Sequence, residues 1–263
     1  MRRRKGLIGW WIVFILSGIY FALPLIATVS VSLRSRPPLQ AWINALSDPK
    51  LVSTLMFSFA AGIATILVGV ALILPTAYWV RLKVPRMRPV VELITLLPFV
   101  VPAVILVFGL LRAYSPRPIS LTSTSLGTNA LLVAAYVVLS LPYMYRSVDT
   151  GLRAVDIRSL TEAAQSLGAG WPSVIVRIIL PNIRVAILGG AFVTLAIVMG
   201  EFTIANYLVV PAFGPYLSVL GSSKLYEPAA VTVISFTLTW LAMGMIAFLG
   251  RGSRSRITIG GAR

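Results

Sequence analysis

Apolar side chains gather into six long runs, at about 7–31, 52–80, 90–111, 127–145, 184–209 and 229–249. The segments between them hold most of the charged residues. Each run has about the 20 residues that a helix needs to cross some 30 Å of hydrocarbon. Helical periodicity within the runs is weak, because a lipid-facing side and a buried side are both apolar. The pattern predicts an all-α fold: an integral membrane bundle of about six transmembrane helices, forming a single domain over residues 1–263.

Composition sharpens this reading. Hydrophobic residues make up 58% of the chain and charged residues 11%, with a mean hydropathy of +0.92. A soluble domain carries about 25% charged residues. Cysteine and histidine are absent, which excludes disulfides, the usual zinc sites and Ser-His or Cys-His nucleophiles. The net charge of +16 does not point to nucleic acid, because the basic residues form short clusters between apolar runs and no continuous stripe. The opening Met1-Arg2-Arg3-Arg4-Lys5 before an apolar run resembles a signal peptide. The run is longer than the roughly 7–15 residues of such a signal, so a retained first helix is expected.

The clusters predict an orientation. Arg2, Arg3, Arg4 and Lys5, then Arg81, Lys83, Arg86 and Arg88, then Arg146, Arg153, Arg158, Arg177 and Arg184, then Arg251, Arg254, Arg256 and Arg263 fall on one side. That is seventeen of the 23 basic residues, while Arg34, Arg36, Lys50, Arg112, Arg117 and Lys224 fall on the other. Such a bias places the richer side, and both termini, in the cytoplasm of a bacterial-type plasma membrane. The poorer side comprises turn-rich segments at 32–50, 112–126 and 210–228. No internal repeat is evident.

One segment on the basic side, about 146–183, is long and amphipathic, the kind of loop that usually has a function. Ser159 and Glu162 fit a capping box that opens a helix. Leu160, Ala163, Ala164 and Leu167 then form one apolar stripe over two turns, and Gly168 is a natural left-handed stop. Trp171-Pro172 starts a second helix that ends near Leu180-Pro181. A short capped helix with a small-residue face suits docking to another protein. It equally suits lying on lipid headgroups, and the residues alone leave both open.

The run Glu162-Ala163-Ala164, then Gly168, Ile178 and Leu180-Pro181, resembles the EAA loop of binding-protein-dependent ABC importer permeases. The resemblance implies a type I importer-like fold, with this loop as a coupling helix seated in an ATPase subunit. Its contact residues would be Ser159, Leu160, Glu162, Ala163, Ala164, Leu167 and Gly168. It further implies a second permease, identical or homologous, an extracellular or periplasmic binding protein, and no cofactor of the chain's own. Gly200-Glu201-Phe202-Thr203 resembles the branch that handles polyamines, phosphonates, ferric iron and similar small solutes, most of all the polyamine-type permeases. No Gly-rich phosphate loop is present, so ATP would be bound and hydrolysed by the partner, and the chain itself would catalyse nothing.

Two acidic residues are expected near spans. Glu92 belongs to the first turn of the third helix beside Arg88 and reads as structural. Glu201 would lie about 25 Å along the fifth helix from Arg184, where a carboxylate needs a cavity or a partner. It reads as a path residue, or as a structural carboxyl paired with a polar neighbour. Thr194 shares its face, Asn206 lies nearby, and Pro98 and Pro102 are possible pivots in the third span. The rival class is an ion-gradient-driven secondary carrier or channel. Such proteins usually carry repeats or more intramembrane charges.

Overall fold

The computed structural model describes residues 2–116 and 120–251. The expectations resting on Arg117, Arg254, Arg256 and Arg263 fall outside these residues. The described chain is mostly helical, with no strand among the described residues. Four helices are long and apolar enough to cross a membrane by themselves. They are α1 (Arg2–Ser32), α3 (Pro49–Leu82), α6 (Ser125–Arg153) and α12 (Glu227–Arg251). Two further crossings are possible only as bent pairs.

The first bent pair is α4 (Arg88–Val100) and α5 (Ala103–Tyr114), which replace the unbroken third span expected at 90–111. Pro85–Val100 and Ala103–Tyr114 meet at 100°. Val101 is extended and Pro102 has a polyproline-like backbone, with ψ of 144°. Proline disfavours the helical conformation in the residue before it, so Val101 leaves the helix and the chain turns there. The second pair is α8 (Trp171–Asn182) and α9 (Arg184–Gly200), which meet at 81°. Here the expected fifth span over 184–209 stops at Gly200, and a separate short helix, α10 (Thr203–Tyr207), follows.

Segments expected to be turns also hold helices. Residues 32–50 contain α2 (Gln40–Ser47), and 210–228 contain α11 (Phe213–Ser223). The long loop expected from 146 begins later, because α6 continues to Arg153. Asp149 is therefore a helix residue that the span boundaries missed.

Contacts divide the chain into two units. One comprises residues up to Thr54 together with Tyr216–Leu238. In it, the Trp42 indole donates to Ser32 Oγ at 3.2 Å, Asn44 Nδ2 to Glu227 Oε1 at 3.2 Å, and the Tyr216 hydroxyl to Asp48 Oδ2 at 2.9 Å. These bonds tie α2 and its flanks together. The most apolar stretch of α1 is unburied within the structure, as suits a helix facing lipid or a partner, while its end, at Ser32, is buried.

The other unit, Leu55–Pro215 with the chain from Thr239, holds the core. Its centre is the close approach of α6 and α9. A Cβ on Gly151 would lie 2.6 Å from Ala186 Cβ, and one on Gly190 would lie 2.8 Å from Met144 Sδ. Small residues let two membrane helices meet backbone to backbone, which replaces the hydrophobic drive that lipid does not supply.

Candidate functional site

The short helix of the long loop is α7 (Ile157–Ser166), ten residues and nearly three turns in place of the expected two. Asp156, not Ser159, is its N-cap. Asp156 Oδ1 accepts from the Ser159 backbone N–H at 3.2 Å, and the Ser159 hydroxyl donates to Oδ2 at 2.7 Å. These bonds hold the Asp156 carboxyl below the usual carboxylate range. The Ser159–Glu162 capping box is thus corrected. Burial of Ile157 draws the helix start three residues back, where an aspartate cap is available. Glu162 pairs instead with Arg158 at 3.2 Å, an exposed pair one turn away.

The expected stripe is split as well. Ile157, Thr161 and Ala164 are buried, and Leu160 is half-buried. Ala163 and Leu167 face outward, Leu167 with 88% of its surface exposed. At the end of the helix Gly168 has φ of 83°. Its N–H donates to Gln165 O at 2.9 Å and the Ala169 N–H to Ala164 O at 3.0 Å. This is a Schellman stop, as the glycine predicted.

The inner face of α7 is fixed to the bundle. The Tyr78 hydroxyl of α3 and Thr161 Oγ1 share a buried hydrogen bond of 2.8 Å. Ile157 and Ala164 join a core cluster with Leu74 and Tyr78 of α3, Val148 and Leu152 of α6, and Val174 and Ile179 of α8. Trp171, at the start of α8, packs its ring 5.3 Å from that of Trp79 and 5.9 Å from that of Tyr78. Lys83 Nζ sits 5.2 Å from the Trp171 ring centroid.

Beside this anchorage lies an ionic hub. The Asp149 side chain, 12% exposed, meets Arg81 of α3 at 3.4 Å, Arg88 of α4 at 3.3 Å and Arg153 at 2.6 Å. Arg88 also holds Glu92 at 2.8 Å, the structural pairing expected for that carboxylate. Continuing the helical pattern past Tyr145 reveals the spacing of Asp149 and Arg153, the signal that could have found the hub.

The expected path residues are scattered over three elements. Glu201 is not part of a continuous span. It is extended, with ψ of 126°, just after α9. Its Oε1 accepts from the Ile204 N–H at 2.7 Å, and its Oε2 from the Ala205 N–H at 3.1 Å and the Tyr136 hydroxyl at 3.2 Å. The carboxyl group caps α10 and ties it to α6. Thr194 is fully buried and donates to Gly190 O at 2.9 Å within α9. The break at Glu201 ends the shared helical face on which the two were expected. Asn206 is exposed on α10. Pro98 lies within α4, and Pro102 forms the corner between α4 and α5. After that corner, α5 packs Val107 against the α10 region, and Phe108 lies 4.9 Å from the Tyr207 ring.

Long apolar helices with a small helix pinned to one end define a multi-pass membrane protein. The family model of the binding-protein-dependent transport system inner membrane component matches residues 86–254, and the chain belongs to this family. A probable molybdenum ABC transporter permease of Haloferax volcanii is 31% identical over 186 residues, 70% of this chain and 67% of the relative. A putative 2-aminoethylphosphonate transport permease of Salmonella typhimurium is 24% identical over 240 residues, 86% and 87% of the two chains. Of a putative ferric transport permease of Haemophilus influenzae, the chain covers only 32%. The MetNI methionine ABC transporter, solved in inward-facing conformations, shares the fold with a TM-score of 0.53 at 19% identity, over 76% of this chain and 90% of that one.

Proposed function

We propose that the chain is one permease of an ATP-driven importer, forming half of the path for a small polar solute and docking a separate ATPase subunit through α7. The two-sided character of α7 carries this reading. Ile157, Thr161 and Ala164 fix one side to the bundle, while Glu162, Ala163 and Leu167 stand outward beside Gly168. A rigidly anchored helix with a bare face is suited to transmit a push into α3 and α6. A second permease, identical or homologous, completes the path, and an external binding protein delivers the solute. The charge bias supports a cytoplasmic α7 and cytoplasmic termini. Pro98 and Pro102 act as pivots of the broken span. Asn206 faces the path, and Glu201 and Thr194 shape its wall.

The names of the relatives divide among molybdenum, 2-aminoethylphosphonate, ferric and methionine transport, so they fix no single solute. The polyamine reading finds no support in those names or in Glu201, whose carboxyl group already accepts three hydrogen bonds. The test is uptake. Glu162→Lys and Gly168→Asp should abolish ATP-dependent transport and co-purification of the ATPase while leaving membrane insertion intact. Normal uptake in both variants would remove α7 from the coupling role.

A further inference from the structure

The stripe of α4 that begins at Arg88 faces a stripe of α6 across a cleft of about 650 Å³. The α4 side comprises Arg88, Glu92, Thr95, Leu96 and Phe99, and the α6 side includes Tyr143, Arg146, Thr150 and Arg153. Both sets recur every three or four residues, so each lies on one helix face. The two stripes run in opposite directions. Arg88 meets Asp149 at one end, and the rings of Phe99 and Tyr143 meet edge to face at 5.6 Å at the other.

The charges in this cleft do not balance. Three guanidinium groups, of Arg88, Arg146 and Arg153, line it with two carboxylates, of Asp149 and Glu92, and Arg81 adds a further positive charge on Asp149 from outside the lining. Asp149 is held by three of the arginines and Glu92 by Arg88. Arg146 makes no ion pair among the described residues. It is positioned midway, one turn from Tyr143 and one turn from Thr150. The Thr150 hydroxyl is spent on the Arg146 backbone carbonyl, at 2.7 Å. Arg146 is therefore the lining arginine with no carboxylate partner, and Tyr143, one turn away, lines the same cleft.

We infer that this cleft binds a tetrahedral oxyanion, held chiefly by the Arg146 guanidinium and secondarily by the Tyr143 hydroxyl, with Arg88 and Arg153 supplying the positive surround. The fork of an arginine matches two oxygens of such an anion, and a net positive, partly enclosed cleft raises its local concentration. A cation would meet the opposite field. A free oxyanion and the phosphate of an anionic lipid headgroup present the same chemistry. That the cleft belongs to the transport path rests on the permease reading; that it binds an oxyanion does not.

The test uses the full chain in phosphatidylcholine nanodiscs at low salt, with molybdate as the probe, measured by equilibrium dialysis. Saturable binding is expected. Arg146→Ala should weaken it about tenfold, the usual loss for a charge-assisted hydrogen bond, with Arg146→Lys intermediate and Tyr143→Phe milder. A second arm uses phosphatidylglycerol. If the headgroup is the natural occupant, phosphatidylglycerol is retained through purification by the unaltered chain, lost from Arg146→Ala, and competes with molybdate. Either pattern supports the site and identifies its source. No saturable molybdate binding together with no Arg146-dependent lipid retention would overturn it. So would unchanged binding in an Arg146→Ala chain that melts at the unaltered temperature. Failure of an ATPase to co-purify would sink the docking reading and leave this result standing.

Discussion

At Asp149 one carboxylate answers three guanidinium groups from three helices. Asp149→Asn keeps the shape and removes the charge, so the arginines lose their common partner and repel. The arginines are 33–51% exposed, which screens part of that effect. The expected cost is about 2 kcal/mol, between the values for exposed and buried pairs, read as a lower melting temperature in detergent. Arg153→Ala should cost less, because two partners remain. A second residue-scale prediction concerns Asp156. Its folded pKa is depressed by Ser159, so its contribution to α7 is full at neutral pH and is lost as pH falls through the folded value. Protection of the α7 amides, taken relative to their intrinsic exchange rate at each pH, should fall on acidification in that range, and Asp156→Asn should remove this fall while retaining a cap.

Helices are the scale at which the apolar pattern is informative, and also where it fails. The runs at 7–31, 52–80, 127–145 and 229–249 correspond to unbroken helices, because in lipid a long apolar run satisfies its backbone only as a helix. The runs at 90–111 and 184–209 hide their breaks, since Val101 and Phe202 are as apolar as their helical neighbours. Only Pro102 advertised the first break. The second is made by Glu201, whose carboxyl group binds the N–H groups of the next helix, a choice between span and cap that composition does not reveal. The loop glycine and Trp171-Pro172 were legible from local stereochemistry. The true cap at Asp156 was not, because it depends on burial of Ile157 against the bundle. Glu201→Ala should then leave two N–H groups and the Tyr136 hydroxyl without their acceptor, at a cost of about 2 kcal/mol, with Glu201→Gln losing less. Thermal unfolding in detergent checks both. At the α6–α9 crossing, Gly151→Val needs room that the 2.6 Å approach to Ala186 Cβ denies. It should lower the yield of folded chain more than Gly221→Ala, whose added Cβ meets nothing within 4 Å.

For the whole molecule the open question of greatest consequence is which side of the membrane bears α7, and the absence of cysteine from all 263 residues makes it answerable. A single introduced thiol is then the sole target of a membrane-impermeant maleimide. Leu167 beside α7 is 88% exposed, and Leu126 at the opposite end of α6 is 81% exposed, so neither needs unfolding to react. With α7 cytoplasmic, Leu126→Cys should label in intact cells and Leu167→Cys only in inverted vesicles. Co-expression of the ATPase should then slow labelling of Leu167→Cys several-fold, because docking covers the outward face of α7, and should leave Leu126→Cys unchanged. Labelling of Leu167→Cys in intact cells would reverse the topology drawn from the seventeen-to-six charge bias. Correct sidedness without protection would keep the topology and remove α7 as the seat of the ATPase. Topology rests on charge distributed over the whole chain, whereas docking rests on one face of one helix, so the two results are independent.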